Sequence, residues 1–217
     1  MKDTAESGRV RNCVELYWLP LGAGDNTHCV RTNGRIFEAL TARYERRDRC
    51  NLYHAALMVQ LGGDWFAIEM GPAWGIDAAD RGVVCEGPVG LRWLGRFRSF
   101  RYEVRCWRGG GIPDITEAVD SPQRVSSTRS QAEQVLALAP EFPPAAWGRD
   151  ELIAGEMWNS NSLVAWLLTR SGHDMDGIRP PTHGRAPGWN AGLTVAQRSP
   201  RPSPRPQISH DEDSGHR

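Results

Sequence analysis

Lysine is almost missing from this chain. Lys2 is the only one, and every other basic residue is an arginine, a pattern that reads as compositional bias rather than as a set of guanidinium sites. Neither sign of charge is in excess, with 26 basic against 26 acidic side chains. The arginines are also spread along the sequence, so nothing announces a nucleic-acid groove or a partner of one charge. Long apolar runs are absent: no stretch approaches the length that spans a bilayer, and the opening MKDTAESGRVRN has no apolar centre of the kind a secretory signal carries. Cysteine is scarce and odd in number, at positions 13, 29, 50, 85 and 106, without C-x-x-C spacing. That argues against a disulfide framework or a zinc knuckle and favours reduced thiols in a cytoplasmic protein. A mixed set of His28, Cys29, Cys50, His54 and Cys85 does not match zinc spacings either. No metal or cofactor is expected, and the binding partner is a small molecule or peptide that the sequence does not identify.

What the chain does have is enough apolar material for one core: 217 residues, 40% hydrophobic, with nine tryptophans. We expect a single domain over 1–197. The last twenty residues, RSPRPSPRPQISHDEDSGHR, hold one aliphatic side chain, Ile208, and cannot offset their ordering entropy, so 198–217 reads as a tail. Its RPSPRP is also compatible with a polyproline II ligand.

Within the domain, VELYWLPLGAG predicts a strand ending in a turn, and GRIFEALTARYERR a helix with Ile36, Leu40 and Tyr44 on one stripe. YHAALMVQLGGDWFAIEM predicts a hairpin about Gly62, Gly63 and Asp64. In GLRWLGRFRSFRYEVRCW, basic and apolar residues alternate. This predicts one or two half-buried strands with Leu94, Phe97, Phe100, Tyr102, Val104 and Cys106 inward, an arginine-coated outer face and a break near Gly95. The same letters fit base stacking on a single strand of nucleic acid, but the one-sided sheet is the ordinary source of such alternation. STRSQAEQVLALAPEF predicts an amphipathic helix stopped by Pro140.

MWNSNSLVAWLL, 157–168, predicts a helix apolar on all sides, hence a core helix, starting at Asn159, Ser160, Asn161 or Ser162 and closing at Gly172. Asn and Ser are preferred helix caps. Capping needs only one of them, however, and each further buried polar side chain needs its own partner. A second reading uses the same place: first-turn amides stabilise a developing anion, and a hydroxyl beside them is a nucleophile. Such a serine needs a base. Of six histidines, only His54 begins a predicted strand, sharing a face with Ala56 and Met58. If the hairpin turn has two or four residues, Glu69 falls on that face too, diagonal to His54. The plainer readings are a hydrogen-bonded strand histidine and a solvated glutamate.

Taken together, the His-led strand YHAALMV, the tight turn and a later NSNSLV at a helix start resemble the circularly permuted NlpC/P60 group of papain-like folds. In that group histidine precedes the nucleophile. Its lecithin:retinol acyltransferase-like members carry Asn-Cys-x-x-Phe-Val at the helix start, and laid over this chain the Cys position falls on Ser160. The sequence is also similar to uncharacterised bacterial proteins with NSNS and a later APGW, here 186–189. The resemblance spans roughly 14–196. It implies an α/β (α+β) domain with an antiparallel sheet on a buried nucleophile helix, and a hydrolase or acyltransferase acting on an amide or ester. Ser160 would attack, His54 would serve as base and then acid, and Glu69 would orient it. Asn159 or Asn161 would hold the oxyanion with the helix amides. Serine replaces the intrinsically more nucleophilic cysteine, so a second implication is a binding module that keeps the cleft, with Trp18, Trp158 and Trp189 as its walls.

Overall fold

In the computed structural model, which describes residues 12–23, 29–73, 82–125 and 127–198, an antiparallel sheet runs in the order β4-β5-β3-β2-β1-β6. Its strands are β1 (Cys13–Pro20), β2 (Asn51–Leu61), β3 (Asp64–Pro72), β4 (Val83–Pro88), β5 (Arg101–Arg108) and β6 (Val119–Val125). A two-residue β7 (Gly184–Arg185) adds parallel to the start of β2. The helices are α1 (Cys29–Glu45), α2 (Arg129–Leu138), α3 (Ser160–Arg170) and α4 (Trp189–Arg198). Gly62 and Gly63 close the β2–β3 hairpin with φ of 63° and 95°, the positive values that a tight turn between twisted strands requires and glycine supplies without strain. The turn has two residues, Leu61 pairing with Asp64.

The sheet has two unlike faces. Val14, Leu16 and Trp18, then Tyr53, Ala55, Leu57 and Val59, then Ile68, Met70, Tyr102 and Val104 pack against Val135, Leu138, Leu163, Val164, Leu167 and Leu168 of the helices. Each large apolar side chain fully buried here contributes about 1.5–3 kcal/mol. The opposite face carries a smaller cluster, Leu19, Ala56 and Ile112, with Tyr17 and Met58 at its margin.

α3 is buried on every side from Ser160 to Leu168, as an all-apolar helix must be, and Gly172 follows it at φ 78°. α4 approaches it closely. A Cβ added at Gly192 would stand 2.4 Å from the Ser162 carbonyl oxygen and 2.8 Å from Ala165 Cβ, so only glycine allows this spacing. Arg198 is the last residue of α4, and its guanidinium donates to the Leu152 and Ile153 carbonyls. It therefore belongs to the folded part, and the rest of the sequence-predicted tail, 199–217, lies outside the described residues. α2 begins at a capping box between Thr128 and Gln131 and ends in a single turn that contains Pro140.

Two expectations are corrected. Ile36, Leu40 and Tyr44 do form a stripe on α1, but it faces outward. The helix buries Gly34, Glu38 and Ala42 instead, because Gly34 lets it close on Leu21 and Glu38 is tied to the Arg47 guanidinium and the Cys50 amide. Residues 92–96 and 98–100 are short 3-10 segments with no buried residue, joined by an extended Phe97, and not a strand. Phe97 and Phe100 are exposed together with Trp93, and the Arg96 guanidinium lies 5.3 Å from the Trp93 ring and 4.8 Å from the Phe97 ring. The strand begins only at Arg101, where Tyr102 and Val104 turn inward.

Candidate functional site

The four polar residues that open α3 form a node of backbone contacts. Asn159 is the N-cap: its Oδ1 accepts from the amides of Asn161 at 2.9 Å and Ser162 at 3.3 Å, and its Nδ2 donates to the Pro187 carbonyl at 2.8 Å. Asn161 Nδ2 donates to the carbonyls of Tyr53 at 3.0 Å and Pro187 at 2.9 Å. Ser162 Oγ accepts from the Asn159 amide at 3.1 Å and lies 2.8 Å from the Gly188 carbonyl and 3.2 Å from that of Met157. Three of the four side chains are thus committed to fastening α3 to β2 and to the 186–189 turn. Asn161 Oδ1 is buried without a partner among the described residues. Ser160 is buried as well, and none of these contacts involves its hydroxyl.

This division of labour has a measurable form. Ser162→Ala is expected to lose about 2 kcal/mol, because it strands the buried Asn159 amide. Ser160→Ala should stay within about 0.5 kcal/mol of the parent. Urea unfolding of the two variants checks the contrast, and equal losses would show that Ser160 also holds the node.

The sequence-predicted base stands elsewhere. Cross-strand partners share a face, and the register pairs Leu19 with His54, and Trp18 with Ala55. Ala55 and Trp18 face α3, whereas Leu19 belongs to the opposite cluster. His54 therefore lies on the face away from α3, with the sheet between it and Ser160. Burial holds its pKa down to about 4, against the pull of the Asp114 carboxylate, so the imidazole is neutral at physiological pH.

Glu69 shares that face with His54, as the two-residue turn requires, but it forms an ion pair with Arg105 at 2.9 Å. Arg105 also contacts Glu103 at 3.1 Å and donates to the Pro72 carbonyl at 3.1 Å. Trp158 is a core residue, stacked on Phe142 with centroids 4.7 Å apart and donating Nε1 to the Pro143 carbonyl. Trp18 is equally buried, with Trp189 against it. Neither Trp158 nor Trp18 walls a cleft.

Sequence reading missed an open pocket of about 530 Å³ lined by Gly90, Leu91, Arg92 and 148–151. Arg92 and Glu151 form an ion pair across it at 2.6 Å. Because it joins two segments about sixty residues apart, no local pattern marks it. Among the described residues no three His, Cys, Asp or Glu side chains gather to hold a metal ion; His28 of the mixed set lies outside them. No helix among them is long and apolar enough to cross a membrane. No protein-family model, curated protein or solved structure matches the chain.

Proposed function

We propose that this protein is a binding module on a papain-like scaffold of the circularly permuted NlpC/P60 type, and that it does not act through a Ser160–His54 pair. The scaffold reading is supported by element order: a His-bearing strand and its hairpin come first, and a buried helix opening on NSNS packs later on the antiparallel sheet. One observation carries the functional reading, namely that the sheet stands between His54 and Ser160. A nucleophile must reach its base within hydrogen-bond distance, and here the backbone register keeps them apart.

The pocket between 90–92 and 148–151 is the better contact surface. Leu91 and Trp93 rise exposed beside it, with Phe97 and Arg96 adjoining. A contiguous exposed apolar patch beside a concave, charged pocket is the usual mark of a binding site. With Arg92 engaged by Glu151, its chemistry suits a ligand with an acidic group for Arg149 and an apolar part for Leu91.

Ser160→Cys tests the reading. The introduced thiol, followed with the native cysteines mass-resolved, should be alkylated by iodoacetamide slowly and with an ordinary thiol pH profile. Rapid alkylation near pH 6 that His54→Ala abolishes would overturn it.

A further inference from the structure

The opposite end of α3 holds a serine–histidine arrangement that is already assembled. His173 is buried just past the C-cap residue Ser171. Its Nδ1 lies 2.8 Å from Ser171 Oγ and its Nε2 lies 2.8 Å from Ser127 Oγ. A neutral ring has one N–H, so one of the two hydroxyls accepts from it and the other donates to it, and the shorter serine–carbonyl contact decides which. The Ser171 hydroxyl has one hydrogen, and it is engaged by the Leu167 carbonyl at 2.7 Å, with that of Leu168 at 3.1 Å. The Ser127 hydroxyl has the longer alternative, the Val125 carbonyl at 3.0 Å, so we assign Ser171 as the acceptor and place the ring proton on Nδ1. Burial also lowers the pKa of His173 and keeps the ring neutral, with one N–H in all. With this tautomer Nε2 presents its lone pair to the Ser127 hydroxyl 2.8 Å away.

We propose that Ser127 is a nucleophile for acyl transfer from small carboxylic esters, with His173 as its general base and Ser171 as the residue that positions the imidazole. Three parts of such a site are present: a hydroxyl, a base within reach, and a group that orients the base. The fourth is an oxyanion donor. The capping box of α2 accounts for the amides of Thr128 and Gln131, and leaves those of Arg129 and Ser130 outside it, at the positive end of a helix that starts two residues after Ser127. Gln131 Nε2 donates to the Gly172 carbonyl at 2.7 Å, which clamps the first turn of α2 to the loop carrying His173. Serine and base come from segments 46 residues apart, yet are held as one unit. Ser127 is half-buried, while Thr128, Arg129, Gly172 and Asp174 around it are exposed. The hydroxyl thus lies near the surface and its base beneath.

In the reaction, Ser127 Oγ forms a bond to the ester carbonyl carbon while its proton passes to His173 Nε2. The C–O bond to the alcohol then breaks, and the leaving oxygen takes that proton. Water, deprotonated by the same nitrogen, attacks the acyl-serine. The carboxylic acid departs, and Ser127 regains its hydrogen through His173.

The same bonds would also make a purely structural latch, and reactivity separates the two. A fluorophosphonate should label Ser127, located by peptide mass, and p-nitrophenyl acetate should be turned over with loss of both signals in Ser127→Ala. His173→Gln should reduce the labelling rate at least a hundredfold, the usual size of a general-base contribution. Ser171→Ala should move the pH midpoint of labelling, which a latch has no means to do. In case His173→Gln unfolds, Ser127→Cys provides a second arm: its thiol should be alkylated with a pKa below the ordinary value of about 8.5. An unlabelled Ser127 in the folded protein, labelling that ignores His173→Gln, or an ordinary thiol profile overturns the proposal. Label on Ser160 instead also overturns it, and with it the reading given under Proposed function.

Discussion

Arg105→Met should lower stability by about 3–5 kcal/mol at neutral pH, the cost of taking the cation out of a buried charge cluster. Arg105 is almost wholly buried, and it pairs with Glu69 and Glu103 on the face of the sheet opposite the helices. Methionine replaces most of its volume but none of its charge, so two carboxylates stay close together in a poorly solvated place. Adding Glu69→Gln and Glu103→Gln to the variant should recover a substantial part of the loss, since the penalty lies in two like charges left close together rather than in the missing arginine. Urea midpoints of the parent, single and triple variants decide this. A single-variant loss below about 1 kcal/mol, the range of an exposed pair, would mean that water reaches the cluster freely.

Acid should destabilise the protein in a window that belongs largely to His54. Its folded-state pKa of about 4 lies below the ordinary 6.5, so on acidification the unfolded chain takes up the proton first. The stability that this group contributes is fully present above about pH 6.5. It is lost as pH falls through the interval down to about 4, and below that no further loss comes from it. The gap corresponds to about 3 kcal/mol at most. His173, whose pKa is also lowered, adds to the same limb. His54→Gln should therefore flatten the stability profile between pH 6.5 and 4 without abolishing its slope. A profile identical to the parent's would show that the His54 ring is solvated in the native state.

The features that could be read from the sequence were those that local chemistry decides. Gly62-Gly63 specifies its own turn, and the turn's length then fixes parity, which is why Glu69 falls on the His54 face as expected. The apolar run 163–168 can only be a core helix, and STRSQAEQVLALAPEF carries a helix that gives way at Pro140. Features that depend on which side a neighbour occupies were not legible. In YHAALMV both faces are apolar enough to be covered, so alternation groups His54 with Ala56 and Met58 but does not say which face receives α3. In α1 the hydrophobic stripe lost to a stripe with a glycine in it, because close approach and one well-satisfied glutamate outweighed apolar area. Residues 92–100 imitate strand alternation while lying beyond the ladder that would make it meaningful. The candidate site suffered most, since each of its pairings joins residues distant in sequence.

The position of β1 has a consequence for synthesis. It lies between β2 and β6, and its contact with β6 joins residues about a hundred positions apart, as when the Trp18 amide donates to Ser121 Oγ. A chain emerging from the ribosome can therefore make the β2–β3 hairpin and pair β1 with β2 early, yet one edge of β1 stays bare until residue 125 has been added. The apolar face bearing Leu16, Leu57, Ile68 and Val104 waits longer, because α3 and α4, which cover it, come near the end of the domain. Contacts of such long range make folding slow. An open strand edge and an uncovered apolar face during translation make the nascent chain prone to self-association. Chaperone demand should accordingly peak on chains that have passed β5 but not yet completed α3, and fall once α4 closes against it.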